Sequence, residues 1–259
     1  MFSKAESYER FMGRWSRLLA PQFVAFSEIG NGEAVLDVGS GTGALSMALR
    51  AAATHGNVIG VDPSVDYVNH ASRWSRDPFL RFMVGDAQQL PFADAEFDKT
   101  VSALVLNFVP EPARALSEMI RVTKHGGVVT SAVWDYGEGM QMLRVFWDEA
   151  TALDASVEPR DEAHMPLCSA GQLAALWQGA GLTNVQEVAL TVALHFTSFD
   201  DYWGPFLLGQ GPAGAYARTL SEAQRRALAA RLRHRLIGDG PDRAIEIRAR
   251  AWAVKGTVH

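Results

Sequence analysis

A glycine-rich turn carries the clearest chemical signal in this sequence. The segment 35–43 reads VLDVGSGTG, in which a short apolar run leads into Gly39, Gly41 and Gly43. Glycine has no Cβ atom, so the backbone can turn tightly there and come close to a ligand. The helix expected after the turn begins with free N–H groups, which favour a carboxylate or a phosphate. The segment predicts a ligand-binding turn, with a tight turn that binds nothing as the alternative.

Two acidic residues follow the glycines at spacings that suit a nucleoside. Asp62 ends the apolar run VIGV, where a carboxylate can accept hydrogen bonds from both ribose hydroxyls. Asp86, in GDAQQLPF, can accept a hydrogen bond from an adenine amino group, and the Ala87 N–H can donate to a ring nitrogen. Asp62 could instead cap the next helix, and Asp86 could be an ordinary loop residue. Together with the glycines, these residues predict an adenosine site.

Such residues must be positioned by strands that end at one edge of a sheet. Short apolar runs alternate with helical stretches between residues 33 and 134, as in sheets of buried parallel strands. The predicted strands are 34–38, 57–61, 80–84, 99–106 and 127–134, and the predicted helices are 44–53, 64–76 and 112–122. This alternation predicts an α/β, Rossmann-like, doubly wound and mainly parallel sheet, which binds ligands at the carboxyl ends of its strands.

The pattern changes after residue 134. Residues 139–153 and 169–180 predict helices, and residues 185–196 and 244–254 predict strands that are separated by a helical insertion. A strand pair of this kind fits an antiparallel edge strand on the parallel sheet. We expect an N-terminal helical lid at 1–30 and one domain at 31–259. Within that domain we expect a cofactor half at 31–134 and helical cap insertions at about 138–180 and 198–237.

Composition narrows the class of protein. The formal net charge is −5, which gives no electrostatic reason to expect a nucleic-acid partner. The single Cys168 cannot form an internal disulfide and suits a reducing compartment. No stretch resembles a signal peptide or a membrane span, so we expect a cytoplasmic protein. The seven histidines show no metal-ligand spacing, and no metal is predicted; the oligomeric state is left open.

Four segments together resemble a known family. VLDVGSGTG, VIGVDPS, GDAQQLPF and the run 97–129 are similar to class I S-adenosylmethionine-dependent methyltransferases of the type 11, ubiquinone/menaquinone C-methyltransferase-like group. The resemblance covers about residues 31–134 and implies S-adenosylmethionine as cofactor. It implies eight cofactor-binding residues: Gly39, Gly41, Thr42, Asp62, Pro63, Asp86, Ala87 and Ala103.

Within that set, the resemblance implies a division of roles. Gly39 and Thr42 would line the methionine end of the cofactor. Asp62 would hold the ribose, and Asp86 with Ala87 would hold the adenine. The sequence departs from the family after the fourth strand, where the frequent His-His pair is replaced by Asn107-Phe108. The role of that pair therefore does not carry over.

The catalytic groups are less determined. Methyl transfer from a sulfonium requires the protein to align the acceptor and exclude water, and an acceptor with a high pKa also needs a base. Asp135, Tyr136 and His164 are the candidate bases. Tyr8, Phe11 and Trp15 share one helix face. That face either packs on the domain or forms the lid, with Tyr8 or Arg14 reaching the methionine group.

The partner is expected to be a small-molecule acceptor, aromatic or anionic. Aromatic residues of the cap, Trp134, Tyr136, Trp203 and Phe206, either face the acceptor or form core. An arginine-rich stretch at 218–235 either is a solvated face or attracts an anionic substrate or an acidic membrane surface. Two other functions are considered. An NAD-type dehydrogenase would share the fold but predicts GxGxxG, whereas residue 44 is Ala. A non-catalytic S-adenosylmethionine-binding domain would keep every motif.

Overall fold

Seven strands form one sheet in the structure, a computed structural model that describes residues 5–259. The strands are β1 (Val35–Val38), β2 (Val58–Asp62), β3 (Leu80–Val84), β4 (Phe97–Ala103), β5 (Thr123–Trp134), β6 (Thr183–Phe196) and β7 (Ile245–Thr257). Their order across the sheet is β3-β2-β1-β4-β5-β7-β6. Strands β1 to β5 run parallel to one another, whereas β7 runs antiparallel to both β5 and β6.

Helices cover the sheet and fill the connections. They are α1 (Ala5–Tyr8), α2 (Arg14–Ser27), α3 (Ala44–Ala52), α4 (Val65–Trp74), α5 (Pro112–Val122), α6 (Gln141–Leu153), α7 (Gln172–Gly179), α8 (Phe199–Trp203), α9 (Gly211–Thr219) and α10 (Glu222–Ile237). A π-helical turn, Glu9–Gly13, joins α1 to α2. Short 3-10 helices occupy Leu106–Phe108, Ala155–Arg160, Glu162–His164 and Gly204–Leu208.

The predicted fold class is confirmed. The apolar runs between residues 34 and 134 form parallel strands, and β1 is buried along its whole length as expected for a central strand. Beyond residue 180, β6 forms the edge of the sheet and pairs antiparallel with β7. The prediction of a strand through residue 106 is wrong at its end. The backbone enters the left-handed region at Leu104 (φ 66°), which turns the chain out of the sheet.

An aromatic cluster joins the N-terminal segment to the region after the parallel sheet. Phe146 of α6 stacks on Phe206 with ring centroids 4.6 Å apart, and Trp203 lies 6.3 Å from Phe146. Phe11 meets Phe206 edge-on at 5.3 Å, and Trp15 meets Phe196 at 5.0 Å. All of these rings are buried. Trp203 and Phe206 are therefore core residues, and the face formed by Phe11 and Trp15 packs on the domain.

Three arginines of α10 form ion pairs with nearby carboxylates. Arg231 and Arg235 pair with Glu149 of α6, and Arg235 also pairs with Asp148. Arg226 pairs with Glu222 one turn earlier. The pairs of Arg231 and Arg235 connect α10 to α6, and three of the arginines that were considered as an attraction for an anionic substrate are thus paired with carboxylates. The helix begins with a capping box formed by Ser221 and Gln224, as its sequence pattern predicts.

Residues 5–259 contain neither a membrane-spanning helix nor a cluster of metal-ligating side chains. None of the helices there is long and apolar enough to span a bilayer. The same residues contain no group of three or more His, Cys, Asp or Glu side chains arranged to hold a metal ion. The expected absence of a metal stays a prediction.

The aromatic cluster generates a stability prediction. Phe146→Ala should lower the free energy of unfolding by about 3–5 kcal/mol, because it opens a cavity among rings that cannot collapse together. Leu153→Ala, at a 44% exposed position of the same helix, should cost well under 1 kcal/mol. Urea unfolding of the two variants measures the difference. Equal costs would show that the cluster does not hold the cap region on the sheet.

Candidate active site

A cavity of about 490 Å³ opens at the carboxyl ends of β1, β2, β3 and β4. Its size falls within the range of small-molecule sites. Each of the eight residues predicted to bind the cofactor contributes to its lining: Gly39, Gly41, Thr42, Asp62, Pro63, Asp86, Ala87 and Ala103. They come from four separate loops, and parallel strands bring these loops to one edge. The cavity is thus the common location of the predicted site residues.

The glycine turn has the backbone that its sequence requires. Gly39 has a φ of 78°, and its N–H donates to the Val61 carbonyl at 2.8 Å, which fixes the turn against β2. A Cβ atom on Gly39 would lie 2.4 Å from Cγ2 of Val105. Gly41 also has a positive φ, 53°, but a Cβ there would meet nothing within 4 Å. Sterics therefore demand glycine at position 39 and leave space beside position 41.

Asp62 ties the glycine turn to the loop after β2. Its Oδ2 accepts a hydrogen bond from the Gly41 N–H at 2.9 Å, and its Oδ1 accepts one from the Ser64 N–H at 2.8 Å. The side-chain cap of α4 is Ser64, whose hydroxyl oxygen accepts from the Tyr67 N–H. Burial raises the pKa of Asp62, and the two backbone donors partly oppose that shift. Each oxygen keeps a free lone pair with which to bind a ligand hydroxyl.

Asp37 is a second buried carboxylate of the cavity. Its Oδ2 accepts a hydrogen bond from the Ser46 hydroxyl at 2.5 Å, and its Oδ1 has no partner in the described part of the chain. Burial raises the pKa of Asp37 to about 7. Asp37 is not among the residues predicted to bind the cofactor. Its position in β1, two residues before Gly39, is the signal that could have identified it.

Asp86 and Ala87 lie at the opposite wall, after β3. Asp86 is exposed, and its Oδ1 accepts a hydrogen bond from the Gln88 N–H at 2.9 Å. Ala87 is only 8% exposed. Tyr67 of α4 also lines the cavity, and its hydroxyl has no partner among residues 5–259. Sequence analysis missed Tyr67, because a single aromatic residue inside a helix gives no motif.

The ionisable side chains that line the cavity in the described part of the chain are acidic, apart from tyrosines. Its described lining contains the carboxylates of Asp37, Asp62 and Asp86 and no lysine, arginine or histidine. A phosphate group would meet this negative potential without a side-chain cation to balance it. A ligand with a positive group is favoured there.

The N-terminal helices form one wall of the cavity. Tyr8, Ser16, Leu19, Ala20 and Phe23 all contribute to the lining. The Tyr8 and Ser16 hydroxyls are hydrogen-bonded at 3.1 Å. The Tyr8 ring also packs on that of Tyr67, with centroids 5.8 Å apart. Tyr8 therefore lies in the wall of the cavity, as expected for a residue of the predicted lid.

The same helices contact the glycine turn directly. The Thr42 hydroxyl donates to a carboxylate oxygen of Glu9, and Glu9 also pairs with Arg17. Arg14 does not take part, because its guanidinium pairs with Asp201 at 2.9 Å and lies over the Trp15 ring. The expectation that Arg14 reaches the methionine group is thus not supported by its contacts.

The three candidate bases lie outside the described cavity lining. Both oxygens of Asp135 are engaged, Oδ1 with the Glu138 N–H at 2.9 Å and Oδ2 with Arg250. Burial by itself would raise the pKa of Asp135, but these partners hold it below its usual value. His164 is exposed and lies 2.7 Å from Glu158. Tyr136 is buried, with its ring 6.4 Å from that of Phe108, a cavity residue.

The turn generates a second prediction. Gly39→Ala should destabilise the protein by about 1–3 kcal/mol more than Gly41→Ala, because both place a Cβ at positive φ but only position 39 is crowded. Chemical denaturation of the two variants side by side gives the comparison. If the two cost the same, contact with Val105 does not determine the shape of the turn.

Comparison with known proteins agrees with this geometry. Residues 36–130 match the type 11 family model described as "Methyltransferase domain". The uncharacterized protein Rv1405c of Mycobacterium tuberculosis is 30% identical over 214 residues, which cover 80% of this chain and 77% of that protein. The demethylmenaquinone methyltransferase of Renibacterium salmoninarum is 38% identical over 123 residues, 48% of each chain.

A solved structure extends the likeness to the whole fold. The S-adenosylmethionine-dependent methyltransferase TM1293 of Thermotoga maritima superposes with a TM-score of 0.52 at 20% identity, covering 98% of this chain and 99% of that one. The sequence matches confirm the predicted methyltransferase activity and its cofactor, S-adenosylmethionine, and give no support to an NAD-type dehydrogenase. The solved structure supports the fold. The chain transfers methyl groups from S-adenosylmethionine and belongs to the class I, type 11 methyltransferase family.

Proposed function

We propose that this methyltransferase binds S-adenosylmethionine in the cavity described above and methylates a small, largely apolar acceptor there. The observation that carries the proposal is the convergence of eight motif residues on one acidic cavity. In this arrangement Asp62 holds the ribose hydroxyls, and Asp86 with the Ala87 N–H holds the adenine. Gly39, Gly41 and Thr42 line the methionine end, with Pro63 and Ala103 beside the cofactor.

The charge of the lining supports this assignment. S-adenosylmethionine carries a sulfonium and an ammonium group, and both suit a cavity that contains three carboxylates. Asp37 has a buried oxygen without a partner at the turn assigned to the methionine end. A buried unpaired oxygen is costly, and a cationic group beside it would remove that cost. NAD carries a pyrophosphate, which the same residues would repel.

The acceptor is proposed from the rest of the lining. Besides the cofactor residues, the cavity contains apolar side chains from α2, α3 and the segment after β4, namely Leu19, Phe23, Leu45, Leu104, Val105, Phe108 and Val109. Apolar and aromatic surfaces of this kind favour a flat or apolar molecule. The demethylmenaquinone methyltransferase relative is named for an acceptor with a quinone ring. A lining without cationic side chains argues against a nucleic-acid acceptor.

The chain's own part in the reaction follows from this arrangement. S-adenosylmethionine would supply a methyl group on a sulfonium, whose leaving group is the neutral thioether S-adenosylhomocysteine. The protein therefore has to align the acceptor with that methyl group and keep water out. We assign water exclusion to residues 5–30 of the predicted N-terminal lid, of which Tyr8 and Phe23 line the cavity and Glu9 contacts Thr42. Residues 1–4 of the predicted lid lie outside the described residues. The helical segments at about 138–180 and 198–237 would form the cap. A cytoplasmic location, suggested by the lone Cys168, stays a prediction.

Ligand-dependent stability tests the cofactor assignment. At a concentration 100 times its dissociation constant, the reaction product S-adenosylhomocysteine should raise the free energy of unfolding by about 2.7 kcal/mol. NAD should leave the free energy of unfolding unchanged. Denaturant unfolding with each ligand gives both values. Stabilisation by NAD alone would overturn the assignment. A screen of small aromatic acceptors for S-adenosylhomocysteine release tests the acceptor class.

A variant at Asp62 tests the ribose role. Asp62→Asn should weaken S-adenosylhomocysteine binding by about 2–3 kcal/mol, because it removes the charge that strengthens hydrogen bonds to both ribose hydroxyls. Asp66→Asn, on the exposed face of the next helix, should leave the affinity unchanged. Titration calorimetry of both variants measures the effect. A loss of thermal stability in Asp62→Asn at unchanged affinity would mean that Asp62 only holds the two loops together.

A further inference from the structure

The loop between β3 and β4 carries Asp86 and Ala87, the two residues assigned to adenine. A loop that recognises a base needs a fixed backbone, because a carboxylate and an N–H bind a ring edge only at defined distances and angles. The front end of the loop is fixed by β2, since the Gly85 N–H donates a hydrogen bond to the Asp62 carbonyl at 3.2 Å. The side chains that fix its other end belong to α5.

Arg121, in the last turn of α5, binds the far end of this loop. Its Nη2 donates to the Leu90 carbonyl at 3.0 Å, and its Nη1 donates to the Phe92 carbonyl at 2.8 Å. Nη1 also donates to a carboxylate oxygen of the exposed Asp94 at 2.8 Å. Because the guanidinium is planar and its donors are fixed in a fork, two carbonyls of one irregular segment can reach it in few backbone conformations. Arg121 therefore fixes the path of the chain from Leu90 to Phe92.

Glu118, one turn earlier on α5, binds the same segment and holds the guanidinium in place. Its Oε2 accepts a hydrogen bond from the Leu90 N–H at 2.8 Å. Its two oxygens also accept from Nε and Nη2 of Arg121 at 2.7 and 2.8 Å, which is the paired geometry that arginine forms with a carboxylate. These hydrogen bonds lower the pKa of Glu118, so the carboxylate is ionised at neutral pH. One ion pair thus binds both backbone polar groups of Leu90, a residue that is 4% exposed.

A turn connects this ion pair to Asp86. The Gln89 N–H donates to the Asp86 carbonyl at 3.0 Å, and the Gln88 N–H donates to Oδ1 of Asp86 at 2.9 Å. Leu90 follows the turn directly, and Asp86 itself is exposed, so packing of its own side chain does not fix it. A shift of the Leu90 backbone would therefore move the Asp86 carboxylate and the Ala87 N–H relative to the cavity.

We propose that Arg121 and Glu118 are positioning residues for adenine recognition, which hold the loop in the shape that lets Asp86 and Ala87 distinguish adenine from hypoxanthine. The proposal rests on the proposed function, since it deepens the assignment of adenine to this loop. Adenine presents a donor amino group beside an acceptor ring nitrogen, whereas hypoxanthine presents an acceptor oxo group beside a donor ring N–H. The carboxylate of Asp86 and the N–H of Ala87 match the first pattern and oppose the second.

The experiment compares S-adenosylhomocysteine with S-inosylhomocysteine, in which hypoxanthine replaces adenine, by titration calorimetry on the full chain. The wild-type chain should bind the adenine compound at least about tenfold more tightly, because the inosine compound places two mismatched groups against the loop. Arg121→Gln removes the charge and the fork, so this preference should fall to about threefold or less. The ratio of the two affinities is the decisive quantity, because a purely structural loss would weaken both ligands alike.

Arg114→Gln is the matched control on the same helix. Arg114 is exposed and its guanidinium pairs with Glu111 at 3.9 Å, so this variant should keep the wild-type preference. Arg121→Lys keeps the charge but cannot form the fork, and its preference should lie between those of the wild type and Arg121→Gln. A wild-type preference in folded Arg121→Gln, or in Arg121→Lys if only that variant folds, would overturn the proposal. An equal loss of preference in Arg114→Gln would also overturn it.

The outcomes separate the adenine assignment from the positioning role. If S-adenosylhomocysteine does not bind the wild-type chain, the cofactor assignment is wrong. If it binds without preference over the inosine compound, the adenine assignment of Asp86 and Ala87 is wrong, and the positioning role is wrong with it. If the wild type prefers adenine and Arg121→Gln prefers it equally, only the positioning role is wrong.

Discussion

The carboxylate of Asp62 accepts hydrogen bonds from two backbone N–H groups that belong to different loops, and the geometry of the cavity depends on this connection. One donor is Gly41, in the turn after β1, and the other is Ser64, at the start of α4. Parallel strands bring both loops to the same edge. The acidic side chain at the end of β2 connects them, in addition to the hydrogen bond from the Gly39 N–H to the Val61 carbonyl. Burial of that carboxylate raises its pKa, and the two backbone donors partly oppose this shift because they stabilise the charged form.

The glycine turn shares this constraint. Gly39 must approach Val105 so closely that no Cβ fits, and its N–H is bound to the end of β2. Val105 belongs to the segment after β4, so a single glycine sets the distance between the first and fourth strands' loops. This is the region where a cofactor on one side can meet an acceptor on the other. The site is thus rigid at its centre and bordered by elements that are less regular.

Those bordering elements are the N-terminal helices and the segments after β5. The N-terminal helices contribute both to the core, through Phe11 and Trp15, and to the cavity, through Tyr8 and Phe23. The π-helical turn at Glu9–Gly13 lies between Tyr8, which lines the cavity, and Trp15, which belongs to the core. Turns of this kind often occur at functional sites. The same segment gives Glu9 its contact with Thr42. One short segment therefore contributes both to the packing of the core and to the wall of the cavity.

The first half of the chain could be predicted closely from sequence. Alternating apolar runs fix parallel strands, because strands buried on both faces need apolar residues at every position. The glycine spacing and the acids after each strand then mark one edge of the sheet, so VLDVGSGTG and Asp62 identified the cavity before its shape was known. Local motifs of this kind depend on backbone geometry within a few residues, and that information is contained in the sequence itself.

The second half was decided by tertiary contacts. Trp203 and Phe206 could equally have faced a substrate or the core, and only the rings of Phe146 and Phe11 decide that they are core. The arginines of α10 gave a strong charge pattern, but their partners Asp148 and Glu149 lie about 80 residues away in the chain. Asn107 and Gln210 are each 4% exposed and have a side-chain oxygen without a partner among residues 5–259, and no motif predicts this burial. The depth of burial that makes their unpaired oxygens costly arises only when distant segments close over them, and no local pattern records it.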